Sequence, residues 1–418
     1  MTRTRSGSAE GLEATFREDW GRLLALLVAQ FRRLDLAEDG LAEAFAAAAE
    51  RWPADEPANP SAWLLTAARR KIIDRLRAEA VAVRKEPLLI VDAEIQADAQ
   101  QYLVDTRGAT GGQVSDERLR LIFLCAHPSL AGESACALTL RLVLGVPTAD
   151  IARLFLVPES TMAARLTRAK RKLTVAGVPF VVPESPALAD RLAAVMSVIY
   201  LAFTAGYAPT SGSDATRVEL AGEAIRLARL LRGLLPRPEL DALLALMLLQ
   251  HSRRDARTDE SGQLVLLPEQ DRSRWRYDEI SEGLNLLEGL PAGEHDEYRL
   301  QALIAAEHAT APVAQATRWG QIAHLYAELE QLTGSPVVRL NRAVAVAEAD
   351  GPAAGLTLLE GLDAELPRSH RLPAVRARLL SDLGLVDEAR QAYREALRRC
   401  GNDVEARHLR RLLAALEP

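Results

Sequence analysis

The segment Thr148 to Leu173, TADIARLFLVPESTMAARLTRAKRKL, is compatible with few folds. It reads as two short helices interrupted at Leu156-Val157-Pro158. Pro158 is expected near the first position of the second helix, where a missing amide proton costs little. Met162, Leu166, Ala169 and Leu173 then follow a helical 4-3-4 spacing and face inward. Ala164, Thr167, Arg168 and Arg171 fall on the opposite face, flanked by Arg165, Lys170 and Lys172. Ile151, Leu154 and Phe155 of the preceding helix are placed to pack beneath. A sharp turn, an apolar seam and a cationic outer face are what a helix-turn-helix needs when its second helix enters a DNA major groove. Arginine makes bidentate contacts to guanine, threonine touches a thymine methyl, and lysine serves phosphate. An ordinary helix pair with a solvated basic face would carry the same charge run. The coincidence of turn, seam and five cations favours the DNA reading.

The rest of the chain also reads as helical, and the fold class expected is all-α. Leu, Ala, Arg and Glu dominate and aromatic residues make up 5%. Residues 12–53 form two helical stretches, LEATFREDWGRLLALLVAQFRRL and AEDGLAEAFAAAAERW, the second ending at Trp52-Pro53. A proline-rich loop follows, then a third helix from Ser61 to Glu79, with Ser61 as the expected N-cap. Its stretch ARRKIIDRLR carries Arg69, Arg70, Lys71, Arg75 and Arg77 against one acid, Asp74, and Trp63 lies at the start of the helix. A basic helix beside an aromatic suits a nucleic-acid strand whose bases are unstacked; the alternative is that Trp63 is core and the charges are solvated. Residues 80–115 carry aperiodic acids (Glu86, Asp92, Glu94, Asp98, Asp105) and end in RGATGGQVS, the composition of a flexible linker. Fully extended, it would reach roughly 100 Å. Helical periodicity resumes at Asp116, and Gly177, Pro179, Pro183 and Pro186 mark a second boundary.

The net charge is −6. Residues 1–177 hold 24 Lys/Arg and 23 Asp/Glu, and residues 178–418 hold 27 and 34. So balanced a chain binds duplex weakly through phosphate neutralisation, so a partner is expected to hold it on DNA. The three cysteines, Cys125, Cys136 and Cys400, match no zinc spacing and no disulfide framework. Cys125 and His127, in LIFLCAHPSL, read as core rather than as a reactive pair. No phosphate-cradling glycine loop, metal cluster or catalytic triad is apparent, so no enzyme activity, cofactor or metal is expected. No apolar run reaches the roughly 20 residues of a membrane span. The N-terminal MTRTRSGSAEG lacks the apolar core of a signal peptide. A cytoplasmic protein without membrane contact is expected.

Residues 188–418 are helical with Pro/Gly punctuation, and their last third repeats. Ala343, Val346, Asp350, Gly355, Leu359 and Leu362 recur 34 residues later as Ala377, Leu380, Gly384, Ala389, Tyr393 and Ala396. That period with small residues at these offsets is the tetratricopeptide signature. Stacked helical hairpins make a concave surface for protein contacts; simple packing without a ligand is the alternative.

The order of these motifs resembles the extracytoplasmic-function (ECF) group of sigma-70 family RNA polymerase sigma factors. DLAEDGLAEAFAAAAERW at 35–52 resembles the region that grips the polymerase clamp helices. PSAWLLTAARRKIIDRLR at 60–77 resembles the region that melts and reads the −10 element, and Asp116 to Leu173 the domain that reads the −35 element. Residues 188–418, with VIYLAFTAGY, QDRSRW and SPVVRLNRAVA, are similar to the tetratricopeptide-like C-terminal extension of one subgroup, which governs activity there. The resemblance thus implies four segments: 12–79 for polymerase and −10 binding, a linker at 80–115, 116–177 for −35 binding, and a regulatory domain at 188–418.

Carried over by residue, the resemblance implies polymerase contact at Asp35, Glu38, Asp39, Leu41 and Phe45. It implies −10 contact at Asn59, Trp63, Arg70 and Lys71, with Arg75 and Arg77 extending that patch, and −35 contact at Ala163, Ala164, Thr167 and Arg168, flanked by Arg165, Arg171 and Lys172. Arg70 stands where many members carry Asn, and the short side chains of Ala163 and Ala164 leave direct reading to Thr167 and Arg168, with DNA shape supplying the rest. The implied partners are core RNA polymerase (clamp helices and flap), promoter DNA, and a protein on the repeat surface. Three other functions share some of these features. A one-component helix-turn-helix regulator with a helical sensor domain would bind palindromic duplex alone. A tetratricopeptide adaptor would not need DNA, and an enzyme would need a deep polar pocket near Asp271, Arg272 and Trp275.

Overall fold

The computed structural model describes residues 4–52, 57–83, 112–155, 157–184, 187–207, 215–257, 259, 265–293, 295–401 and 403–416. Among these, every regular element is a helix, as the composition predicts. The chain divides into two compact units: residues 1–202 with 233–235, and residues 203–232 with 236–418.

Unit 1 begins with α1 (Thr4–Phe31), α2 (Leu34–Arg51) and α3 (Pro60–Val83). Trp20, Leu23, Leu24, Leu27 and Val28 recur at three- and four-residue steps on α1 and are buried, as an amphipathic helix requires. Its N-terminus lies at Thr4, upstream of the start expected from periodicity. The break before α2 comes at Arg32, which takes a left-handed conformation (φ 54°) and so ends the right-handed run. Its Nη1 donates to Phe180 O at 3.4 Å. The cap of α3 differs from expectation. Pro60 is the first helical residue, so Asn59, not Ser61, holds the capping position, and Asn59 Oδ1 accepts from Ala62 N at 3.1 Å. Ser61 Oγ instead donates to Asp19 Oδ2 at 2.5 Å, tying α3 to α1. Residues 84–111 of the expected linker lie outside the described residues.

The second half of unit 1 is α4 (Gly112–Cys125), α5 (Gly132–Leu142), α6 (Thr148–Leu154) and α7 (Glu159–Val175), followed by α8 (Ala187–Tyr207), which crosses into unit 2. Ala187–Thr204, 18 residues with a mean hydropathy of 1.5, is long and apolar enough to cross a membrane by length and composition only. The same helix carries Asp190 and Arg191, and Arg191 Nη2 donates to Phe123 O at 2.5 Å. Leu192, Val195, Met196 and Ile199 are buried in the folded chain, and they share one face by their spacing.

Unit 2 contains α9 (Ala215–Leu234), α10 (Pro238–His251), α11 (Tyr277–Glu288), α12 (Glu297–Thr310), α13 (Trp319–Thr333), α14 (Pro336–Asp350), α15 (Pro352–Leu358), α16 (Leu362–Glu365), α17 (Arg371–Asp382), α18 (Val386–Arg399) and α19 (Asp403–Ala414). From α12 onward each longer helix packs against its neighbours in sequence, giving small successive cores. One is built on Leu340, Ala343, Leu359, Leu362, Leu372 and Leu379, the next on Ala377, Ala392, Tyr393, Ala396 and Leu409. The repeat has a physical basis. Pro352 and Val386 open equivalent helices 34 residues apart, and Ala343 and Ala377 are both fully buried where hairpin helices cross. At Gly355 a Cβ would lie 2.7 Å from both Ala343 O and Ala347 Cβ, so the crossing of α14 and α15 admits no side chain.

Candidate nucleic-acid interface

The helix-turn-helix is formed by α6 and α7, with Pro158 at the cap position before Glu159 (φ −57°, ψ 146°). Met162, Leu166, Ala169 and Leu173 are all buried, as are Ile151 and Leu154 below them. Leu156 lies outside the described residues. Ala163, Ala164, Thr167, Arg168, Arg171 and Lys172 are exposed on the other face. Thr167 Oγ1 donates to Ala163 O at 2.9 Å and Arg168 Nε to Ala164 O at 3.2 Å. Arg171 has no ion-pair partner among the described residues. The three flanking cations are engaged elsewhere. Arg165 Nη1 pairs with Glu133 Oε2 at 2.9 Å beside the Phe155 ring, and Lys170 Nζ pairs with Glu38 Oε2 at 2.8 Å. Lys172 Nζ donates to Ser129 O.

The basic run of α3 is balanced by α2, which the linear count of charges misses. Arg75 sits between Asp39 and Glu43, with Nη1 2.7 Å from Asp39 Oδ2, and Lys71 lies 3.2 Å from Glu43 Oε2. The Asp39 hydrogen bond raises the pKa of Arg75, and the Lys71 hydrogen bond lowers that of Glu43. Arg77 reaches Asp74 at 3.7 Å, and Arg69 is buried. Arg70 is exposed and has no ion-pair partner among the described residues. Trp63 is half-buried and meets Trp52 edge-on at 5.7 Å, so one of its edges belongs to the core. Asn59→Ala is expected to cost about 1 kcal/mol through loss of the α3 cap; urea unfolding of the full chain measures it.

The five residues that the resemblance assigns to polymerase contact occupy different environments. Asp35 and Asp39 are exposed. Asp35 accepts from Arg33 Nε and Nη2 at 3.0 and 2.8 Å, which holds its carboxyl below the usual carboxylate range. Leu41 and Phe45 are buried; Phe45 stands 4.8 Å from Phe16 and 5.9 Å from Trp20, inside the core that positions α2. Glu38 is also buried, and accepts from Arg141 Nε at 2.8 Å as well as from Lys170. The i, i+3 and i, i+4 spacing of α2 already marks Leu41 and Phe45 as core candidates. Nothing near Glu38 in sequence marks its partners, which lie 103 and 132 residues away.

In unit 2, the QDRSRW segment forms a single tight turn. Asp271 Oδ1 accepts from Ser273 N and Oγ at 2.9 and 2.7 Å. The Arg272 guanidinium lies over the Trp275 ring at 4.3 Å and donates to His308 O at 3.0 Å, while Trp275 packs into a core with Leu249, Ala256, Ile280 and Ala309. These residues bind the turn to α10–α12. His308 has its pKa lowered to about 4, by burial first and then by Arg253 and Arg272. Its protonated form is therefore disfavoured in the fold, so the stability it contributes is present above its usual pKa and is lost as pH falls toward 4. An NMR titration of the His308 imidazole is expected to show a midpoint near 4.

His370, Cys400 and Glu405 place ligand atoms within 4.8 Å of one another, a grouping that the linear spacing of cysteines did not predict. Such a set has the donor chemistry for a divalent metal. His370 Nε2 and Glu405 Oε2 lie 2.6 Å apart, which accounts for their proximity as a pair joining α17 and α19. The other two thiols are buried. Burial raises the pKa of Cys125 strongly and pushes that of Cys136 up to about 12. One equivalent of a thiol reagent per folded chain, on Cys400, is the expected result near pH 8; peptide mapping identifies the site.

Comparison with known proteins places the same segments in context. Residues 17–81 match sigma-70 region 2, residues 120–173 match sigma-70 region 4, and residues 191–290 match a family of unknown function, DUF6596. An uncharacterized protein of Rhizobium meliloti (strain 1021) is 41% identical over 401 residues, covering 94% of each chain. No solved structure matches.

Proposed function

We propose, for this chain that belongs to the sigma-70 family and acts in promoter recognition and transcription initiation, the finer role of an ECF-type sigma factor controlled by its own C-terminal extension. The observation that carries this reading is the outer face of α7. Thr167, Arg168 and Arg171 are exposed on α7 above a buried seam. In this role α7 reads the −35 element, Arg168 through guanine and Arg171 through phosphate. Arg70, with the exposed edge of Trp63, meets the unstacked −10 strand. Asp35 and Asp39 on α2 meet the polymerase clamp. Two DNA contacts and one polymerase contact on a single chain reinforce each other, which offsets the balanced overall charge.

No catalysis is assigned to this chain; the polymerase supplies the chemistry. Residues 188–418, whose last third carries helical hairpins of period 34, serve as the tetratricopeptide-like regulatory segment, and a protein is the partner this surface suits. A sigma factor of this kind works in the cytoplasm. Co-purification of the full chain with core polymerase tests the reading. The wild type is expected to be retained, and Asp39→Arg to be retained at least about tenfold less at an unchanged melting temperature. Equal retention of the variant would contradict the assignment of α2.

A further inference from the structure

The C-terminal hairpins of unit 2 bring three metal-ligating side chains together at the ends of three helices. His370 is the residue before α17, Cys400 follows the last residue of α18, and Glu405 lies in the first turn of α19. Helix α18 ends at Cys400, whose extended backbone (φ −76°, ψ 118°) turns the chain toward α19. Arg399 Nη1 donates to Ser369 O at 3.4 Å and so ties the residue before His370 to this turn. The charge of Arg399 is already answered by Glu395, 2.6 Å from its Nε. His370 presents Nε2 to Glu405 Oε2 at 2.6 Å, and ligand atoms of all three side chains lie within 4.8 Å of one another. Such a grouping occurs once among the described residues, although the chain holds 57 acids and 7 histidines.

The ion pair accounts for two of these side chains, and the thiol adds a third donor of a different kind. Imidazole, thiolate and carboxylate all ligate Zn2+, at about 2.0–2.3 Å from the ion. Tetrahedral ligands at those lengths stand about 3.4–3.6 Å apart. The spacing found here brackets that value, so small side-chain rotations close the shell. All three side chains are half-buried, and Cys400 packs against the core of Ala377, Ala392 and Tyr393, which holds the thiol in place. A thiolate disfavours Mg2+ and Ca2+, and a carboxylate disfavours Cu(I), so the donor set selects a borderline-soft divalent ion. We propose that His370, Cys400 and Glu405 form a Zn2+ site that staples α17 to the α18–α19 turn. Binding releases the Cys400 thiol proton to solvent, and the imidazole ligates in its neutral form. Three protein ligands leave the fourth tetrahedral position to water, as in an open zinc site rather than a closed structural one. The site does not depend on the function proposed above.

The test uses the full chain, freed of metal with a chelator and shown to be folded by circular dichroism. Titration with ZnCl2 against a chromophoric chelator is expected to show one equivalent bound per chain. CoCl2 is the spectroscopic probe. A thiolate-to-cobalt charge-transfer band reports Cys400, since Cys125 and Cys136 are buried. Cys400→Ser is expected to remove that band. His370→Ala is expected to lower zinc affinity at least about tenfold, a loss that follows even from changing an outer partner of a ligand. His324→Ala, which removes an exposed imidazole outside the group, is expected to keep the parent's affinity. Zinc is also expected to protect Cys400 of the parent from thiol reagents. Absence of the cobalt band in the folded parent would overturn the proposal. Equal zinc affinity in the parent, Cys400→Ser and His370→Ala would do the same, because the metal would then be held elsewhere.

Discussion

Arg168→Ala is expected to reduce transcription from a cognate promoter by roughly 5- to 150-fold, the equivalent of about 1–3 kcal/mol for one bidentate base contact. The side chain is exposed and supports nothing inside the fold, so melting temperature is expected to stay unchanged. The loss should concentrate at one base pair: the wild-type promoter loses its advantage over promoters mutated there and keeps it over promoters mutated elsewhere. Arg171→Ala, in contrast, is expected to weaken binding across all promoters and to lower the salt slope of binding by about one. Output from Arg168→Ala equal to that of the parent on every promoter would remove α7 from the interface.

Trp20→Ala is expected to be the most destabilising single substitution in unit 1, by about 3–5 kcal/mol. The indole is 1% exposed and is the meeting point of three features: the Phe16 and Phe45 rings at 4.8 and 5.9 Å, and the Arg141 guanidinium at 5.2 Å. Its removal opens a cavity where α1, α2 and the α5–α6 loop converge. A marginally stable domain has a total stability of about 5–15 kcal/mol, so this loss consumes a large part of it. Urea unfolding followed by circular dichroism measures the effect. A change below about 1 kcal/mol would mean that this convergence is not formed in solution.

The sequence shows what depends on local spacing and hides what depends on distant partners. The inward face of α7 follows directly from the 4-3-4 spacing of Met162, Leu166, Ala169 and Leu173, all buried. The 34-residue period predicts equivalent helices because each hairpin repeats the same crossing of small residues, Ala343 and Ala377. The charge of α3 does not reveal its partners in isolation. Arg75 and Lys71 read as free cations until α2 brings Asp39 and Glu43 against them. Arg165 and Lys170 likewise pass for DNA ligands in the linear pattern, yet each is paired with a carboxylate that periodicity cannot locate. Asn59 displaced Ser61 as the cap because Pro60 begins the helix one residue early. The buried state of Glu38 had no signal in the sequence, since an acid in an acidic helix segment reads as surface.

Run-off transcription with purified core polymerase tests the central claim most directly. Templates would be drawn from genomic promoters, with the full chain as the only added initiation factor. The account predicts discrete transcripts that require the chain, start at defined positions and fall by roughly 5- to 150-fold with Arg168→Ala. Transcription indifferent to the chain, with the chain alone binding intact duplex tightly, would contradict it.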